Sequence, residues 1–169
     1  AAVAGAIPII KPMRESLAGD RVRKVLGILN GTTNFILSEM GEGRSYDESL
    51  ATAQERGYAE ADPTADVEGF DVVAKVVILA NVVMGADLRP GDVSREGITG
   101  LDAVQVTGAA DVGKCWKLIG QVEKAGDQVH GSVAPLALPF SDPLAAVGGV
   151  TNAVSFETDL VGPVTIVGA

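Results

Sequence analysis

The clearest pattern in the first third of the chain is a two-residue period from Val22 to Leu29. Val22, Lys24, Leu26 and Ile28 are set against Arg23, Val25 and Leu29, which predicts a strand. Ahead of it, Pro12 followed by Met13 to Ala18 and then Gly19 predicts a short helix, with proline early and glycine just past the end. After it, Asn30-Gly31-Thr32-Thr33-Asn34 turns into a helical stretch from Phe35 to Met40, closed by Gly41 and Gly43. Ser45, with Glu48 three residues on as a capping-box partner, heads a second helix that ends near Gly57. A loop rich in Ala, Glu, Asp and Pro runs from Tyr58 to Thr64. Ala65 to Met84 is the longest helix candidate. Its apolar residues occupy nearly every angle of the wheel, so burial on most sides is expected. Its many valines also suit a strand, but length and the terminal Gly85 favour helix. Beyond residue 86 the pattern predicts a short helix from Ala109 to Cys115. Strands follow over Trp116 to Glu123, Gln128 to Leu138, Val150 to Glu157 and Gly162 to Val167. Helices first and strands later imply an α+β fold, with helices packed on one face of a mainly antiparallel or mixed sheet.

Composition narrows the function. The chain has 169 residues, 47% of them hydrophobic, with mean hydropathy +0.28, which is enough apolar material for the core of one domain. Its net charge is −9, and no cluster of Lys and Arg exists to track phosphates, so nucleic acid is an unexpected partner. The sole cysteine, Cys115, excludes an internal disulfide and any cysteine-built metal cage. Lys75 and Asn81 interrupt the longest apolar run, so no membrane span is expected, and there is no basic segment leading into an apolar one. A soluble, cytoplasmic domain is the expectation. Both ends read as mid-protein sequence, so residues 1–169 are read as a single domain excised from something longer.

Three places could carry chemistry. Gly31-Thr32-Thr33-Asn34 lies at a strand-to-helix junction, where free backbone N–H groups and the positive end of a helix dipole suit a carboxylate or phosphate. The alternative is that Thr32 or Thr33 merely caps the helix. The acidic loop with Glu60, Asp62, Asp66 and Glu68 could seat an ammonium group or a hard cation, although its spacing does not match a calcium-binding EF-hand. The alternative is a solvated loop with acids favoured near the next helix's start. Third, Asp71 and Lys75 stand i,i+4 on a helix that is otherwise apolar, which puts a carboxylate and an amine together where partial desolvation suits proton transfer. A buried structural ion pair is the competing reading. His130 has no histidine partner, and Gly108 to Lys114 has Walker A spacing but Cys115 where Ser or Thr is required.

Taken together, Ala6-Ile7-Pro8-Ile9-Ile10, the run Gly27 to Leu37, Gly57-Tyr58-Ala59-Glu60-Ala61-Asp62-Pro63 and Asp66 to Lys75 resemble the catalytic domain of homoserine dehydrogenase. Lys117-Leu118, Val133-Ala134-Pro135, Pro143-Leu144, Gly148 and Asn152-Ala153-Val154 continue the match in the same order. The resemblance implies interconversion of L-homoserine and L-aspartate 4-semialdehyde with NADP or NAD, on the route to threonine, isoleucine and methionine. It implies Lys75 as proton donor to the developing alkoxide, with Asp71 positioning it, and Glu60 as the seat of the substrate ammonium. Gly31 and Thr32 would meet the substrate from the helix start, and Tyr58 and Asp66 would line the pocket. It also implies a monovalent cation on the main-chain carbonyls of Val3, Gly5 and Ile7, and a homodimer formed through the sheet. The family's nucleotide-binding domain is expected outside these residues, as is any C-terminal regulatory domain, so the chain alone is expected to be inactive. The rival reading is a non-catalytic amino-acid-binding or dimerisation module.

Overall fold

The computed structural model describes residues 3–17 and 19–168. Strand β1 (Val22–Ile28) leads into helix α1 (Gly31–Gly41), and α2 (Tyr46–Glu55), α3 (Thr64–Val67) and α4 (Phe70–Met84) follow. The two-residue strand β2 (Ser94–Arg95) and helix α5 (Ala103–Gly108) precede a hairpin of β3 (Lys114–Ala125) and β4 (Gln128–Pro139), and β5 (Asn152–Thr158) and β6 (Pro163–Gly168) close the chain. The six strands form one sheet in the order β2-β4-β3-β1-β5-β6. All neighbours pair antiparallel except β2 with β4, which makes the sheet mixed and the fold α+β. Helices α1 and α4 lie against one face. On the other, Leu144 and Val147 from the segment after β4 cover Ile28, Ile119 and Ala153.

Glycines on the inner face let α4 approach the sheet. A Cβ at Gly120 would meet Val72 Cγ1 at 2.8 Å, Val76 Cγ2 at 2.9 Å and Leu29 Cδ1 at 3.0 Å, and one at Gly131 would meet Val76 Cγ1 at 2.9 Å. Val72, Val73, Val76, Leu79 and Ala80 are buried in this contact. The helix is not buried on most sides, however. Phe70 and Val82 are exposed, with the Arg95 guanidinium 3.9 Å over the Phe70 ring. One sheet can cover only one stripe of a helix.

Several boundaries depart from the sequence reading. The expected helix from Met13 is a single π-helical turn, Pro12–Ser16, and Ala18 lies outside the described residues. Helix α1 starts at Gly31 rather than Phe35, and its cap is Asn30 rather than Thr32 or Thr33, because the Asn30 side chain accepts from Thr33 N at 2.9 Å. The helix expected from Ala65 is broken after Val67, where Gly69 sits at φ 80° and restarts the chain at Phe70. The helix expected over Ala109 to Cys115 is instead α5 followed by a 3-10 turn, Ala110–Val112, and Cys115 lies in β3. The Ser45–Glu48 capping box is present at the start of α2. Pro135 and Pro139 are tolerated in β4 because β2 covers only Ser132 and Val133, so β4 is an edge beyond them.

Candidate active site

The end of β1, the start of α1 and the first turns of α4 converge on one cluster of polar side chains. Close packing of α4 on the sheet brings Lys75 beside the end of β1. Its Nζ donates to Leu29 O at 2.6 Å and to Asp71 Oδ2 at 2.6 Å. Both side chains are half-buried, at 21% and 32% exposure, so neither is sealed from a ligand. The pair is thus a held amine with solvent access, not an ion pair locked in the core.

Asn30 joins the cluster to the helix start. Its Oδ1 accepts from Thr33 N, which fixes the amide so that Nδ2 points the other way, donating to Asp66 Oδ1 at 2.6 Å and Asp71 Oδ2 at 2.9 Å. One residue with 6% exposure therefore caps α1 and aligns two carboxylates. Sequence reasoning assigned Asn30 no role. The available signal was an Asn immediately before Gly-Thr-Thr, a favoured N-cap residue in the right place.

The remaining candidates divide. Thr32 Oγ1 donates to Tyr58 O at 2.6 Å, so Tyr58 is tied to the start of α1, and its ring meets Phe35 edge-on at 5.1 Å. With Thr33 N taken by the cap and Asn34 N by Asn30 O, the N–H groups of Gly31 and Thr32 are the helix start's open donors among the described residues. Asp66, on α3, is in the cluster through Asn30. Glu60 is exposed. Its carbonyl accepts from Gln54 Nε2 at 3.0 Å, while its carboxylate has no hydrogen bond or ion pair among the described residues. The rest of the acidic loop is structural. Asp62 accepts from Thr64 N and Oγ1 at the start of α3, and Glu68 bonds Arg95 and Thr99. Val3, Gly5 and Ile7 form a separate tight turn with Gly5 at φ 57°, and the Ile7 carbonyl accepts from Ile9 N at 2.9 Å.

A held amine, a row of carboxylates and open helix N–H groups can together orient a zwitterion and move a proton at its polar end. Among the described residues no group of three or more His, Cys, Asp or Glu side chains could hold a metal ion. No helix of the described residues is long and apolar enough to cross a membrane.

The Homoserine dehydrogenase family model matches residues 8–169. A homoserine dehydrogenase of Mycobacterium leprae is 49% identical over 168 residues, covering 96% of this chain and 38% of that protein. The crystal structure of a homoserine dehydrogenase from Thiobacillus denitrificans superimposes with a TM-score of 0.95 at 42% identity, covering 99% of this chain and 39% of that one. A hyperthermophilic archaeal homoserine dehydrogenase mutant in complex with NADPH aligns with a TM-score of 0.79 at 32% identity, over 95% of this chain and 46% of that one. The chain thus spans less than half the length of each of these relatives. With the family model matched over nearly all its residues and a solved homologue almost superimposable on it, the chain belongs to the homoserine dehydrogenase family.

Proposed function

We propose that this chain is the substrate-binding and catalytic part of an enzyme that interconverts L-homoserine and L-aspartate 4-semialdehyde, in the biosynthesis of threonine, methionine and isoleucine in the cytoplasm. The observation that carries this reading is Lys75 Nζ held at 2.6 Å by both Asp71 Oδ2 and Leu29 O, beside the open start of α1. In the reducing direction the aldehyde carbon takes a hydride and its oxygen takes a proton from the Lys75 ammonium. In reverse, Lys75 takes the hydroxyl proton as the carbon loses hydride. The hydride is exchanged with a nicotinamide dinucleotide, NADP or NAD, whose pocket is assigned mainly to a nucleotide-binding part outside this chain. Asp71 keeps the amine aimed, and Asn30 keeps Asp71 aimed. The Gly31 and Thr32 N–H groups receive the substrate carboxylate, where the helix dipole adds to their hydrogen bonds. Glu60 receives the ammonium, and Tyr58 and Asp66 line the pocket between the two.

A monovalent cation on the carbonyls of Val3, Gly5 and Ile7 belongs to the same proposal. The Ile7 carbonyl, already accepting from Ile9 N, keeps a second lone pair for an ion. A homodimer through the sheet's outer face is also proposed. Leu136 and Val167 stand exposed on that face, and a monomer in sedimentation of the full-length protein would remove this part.

The test is reduction of NADP⁺ and NAD⁺ by L-homoserine, followed by absorbance in the full-length protein. Lys75→Ala is expected to lower kcat by about 10²- to 10⁴-fold in a protein that still folds. Lys75→Arg is expected to stay well below the parent, since a guanidinium does not give up its proton. Activity indifferent to Lys75 would remove the mechanism. The isolated chain is expected to show no turnover, and homoserine-dependent reduction by it alone would contradict that expectation.

A further inference from the structure

Lys117, on β3, is 4% exposed, and among the described residues no carboxylate lies within salt-bridge distance of it. Its Nζ donates to Val147 O at 2.6 Å and to Asn34 Oδ1 at 3.0 Å. Burial pushes its amine below the usual lysine range. An unpaired buried ammonium costs stability, and apolar residues of similar volume commonly replace even paired ones at no loss. Its burial at this position therefore calls for a reason in placement.

The hydrogen-bond chemistry supplies one. An ammonium only donates, so the Asn34 oxygen must face Lys117 and its Nδ2 must face away. That Nδ2 reaches Val147 O at 3.1 Å, Gly149 O at 3.0 Å and Thr151 O at 3.2 Å, three carbonyls of one turn. Ser38 Oγ adds a fourth tie by accepting from Gly149 N at 3.3 Å. The turn is thereby drawn onto the first two turns of α1. There Val150 O lies 2.6 Å from where a Cβ on Gly31 would stand. The turn forms the wall behind the open N–H groups of Gly31 and Thr32.

We propose that Lys117 is a positioning residue that, by fixing the orientation of the Asn34 amide, seats the 147–151 turn against Gly31 and so sets the shape of the site that receives the substrate carboxylate. The proposal rests on the functional reading above. It assigns Lys117 no contact with substrate and no part in proton transfer, so its signature is a change in substrate affinity with the chemical step spared.

The experiment is steady-state kinetics of the full-length protein, parent beside Lys117→Gln. The expected result is a KM for L-homoserine raised at least about tenfold, with kcat and the nucleotide KM within about threefold of the parent. A lowered melting temperature with unchanged KM for homoserine would leave Lys117 a structural residue and overturn the proposal. So would a fall in kcat at unchanged KM. If Lys117→Gln does not fold, Ser38→Ala severs one tie to the same turn without uncovering a charge. It is expected to raise the homoserine KM by about threefold, and an unchanged KM overturns the proposal. A parent with no homoserine oxidation removes the functional reading and this inference together. An active parent whose homoserine KM ignores Lys117 and Ser38 removes only this inference.

Discussion

Replacing Asn30 by Asp separates the two tasks that the residue performs. Asp caps a helix as well as Asn, so the bond from Thr33 N survives the change. The two donations, to Asp66 at 2.6 Å and Asp71 at 2.9 Å, do not. A third carboxylate then stands about 3 Å from two others, and at an effective dielectric of 20 each contact costs on the order of 5 kcal/mol. The protein avoids that cost by keeping the new carboxyl protonated, which from a reference pKa near 3.9 costs about 4 kcal/mol at pH 7. Its proton also restores one of the two lost hydrogen bonds, and the other is worth about 1.5–3 kcal/mol. The expected destabilisation is therefore about 5–7 kcal/mol at pH 7, comparable with the whole stability of a typical domain.

The pH dependence has a definite sign. The introduced carboxyl has a folded pKa above its unfolded value, so its stability is fully present below the unfolded pKa and is lost as pH rises. Between pH 5 and pH 7 the deficit relative to the parent should grow by up to about 1.4 kcal/mol per pH unit. Asn30→Ala is the control. It loses the cap, about 1 kcal/mol, and both donations, but introduces no carboxyl. Urea denaturation followed by circular dichroism across that range reads both variants. Parallel pH profiles for Asn30→Asp and Asn30→Ala, or a deficit for Asn30→Asp below about 1 kcal/mol at pH 7, would refute the bridging role of the amide.

Two further outcomes follow from the geometry. Gly120→Ala forces a methyl to within 3 Å of Val72, Val76 and Leu29, so it should cost about 1–3 kcal/mol in chemical denaturation. In the full-length protein it should also lower kcat, because α4 carries Lys75. Asp20 accepts from the backbone N–H groups of Arg21, Leu160 and Val161. Against a desolvation cost, the hydrogen bonds that its carboxylate accepts, those from these amides among them, pull it from 3.8 down to about 2. Its contribution is present above the unfolded value and is lost as pH falls through about 2, so Asp20→Asn should flatten the acid-unfolding profile in that window, read by fluorescence of Trp116.

Much of the molecule was legible in the sequence because the signals were local. The two-residue period of β1, the Ser45–Glu48 box and the later strands are properties of a few consecutive residues, and the structure keeps them to within two or three positions. The i,i+4 spacing of Asp71 and Lys75 placed them together because helix geometry alone brings such residues to one face. Only the tertiary structure decided what that pair faces. Lys75 reaches Leu29 O because α4 sinks onto Gly120 and Gly131, glycines that in the sequence are simply small residues in two strands. The break before Phe70 was missed because the Ala65–Met84 window is helical on both sides of Gly69. The restart depends on Gly97, where a Cβ would stand 2.4 Å from Val67 O, and on Ile98 donating to that same carbonyl. Asn30 bridges residues 36 and 41 positions away, and Lys117 holds a turn 30 positions on. Periodicity and capping read along the chain, whereas a hydrogen bond across the fold exists only once packing has fixed both of its ends.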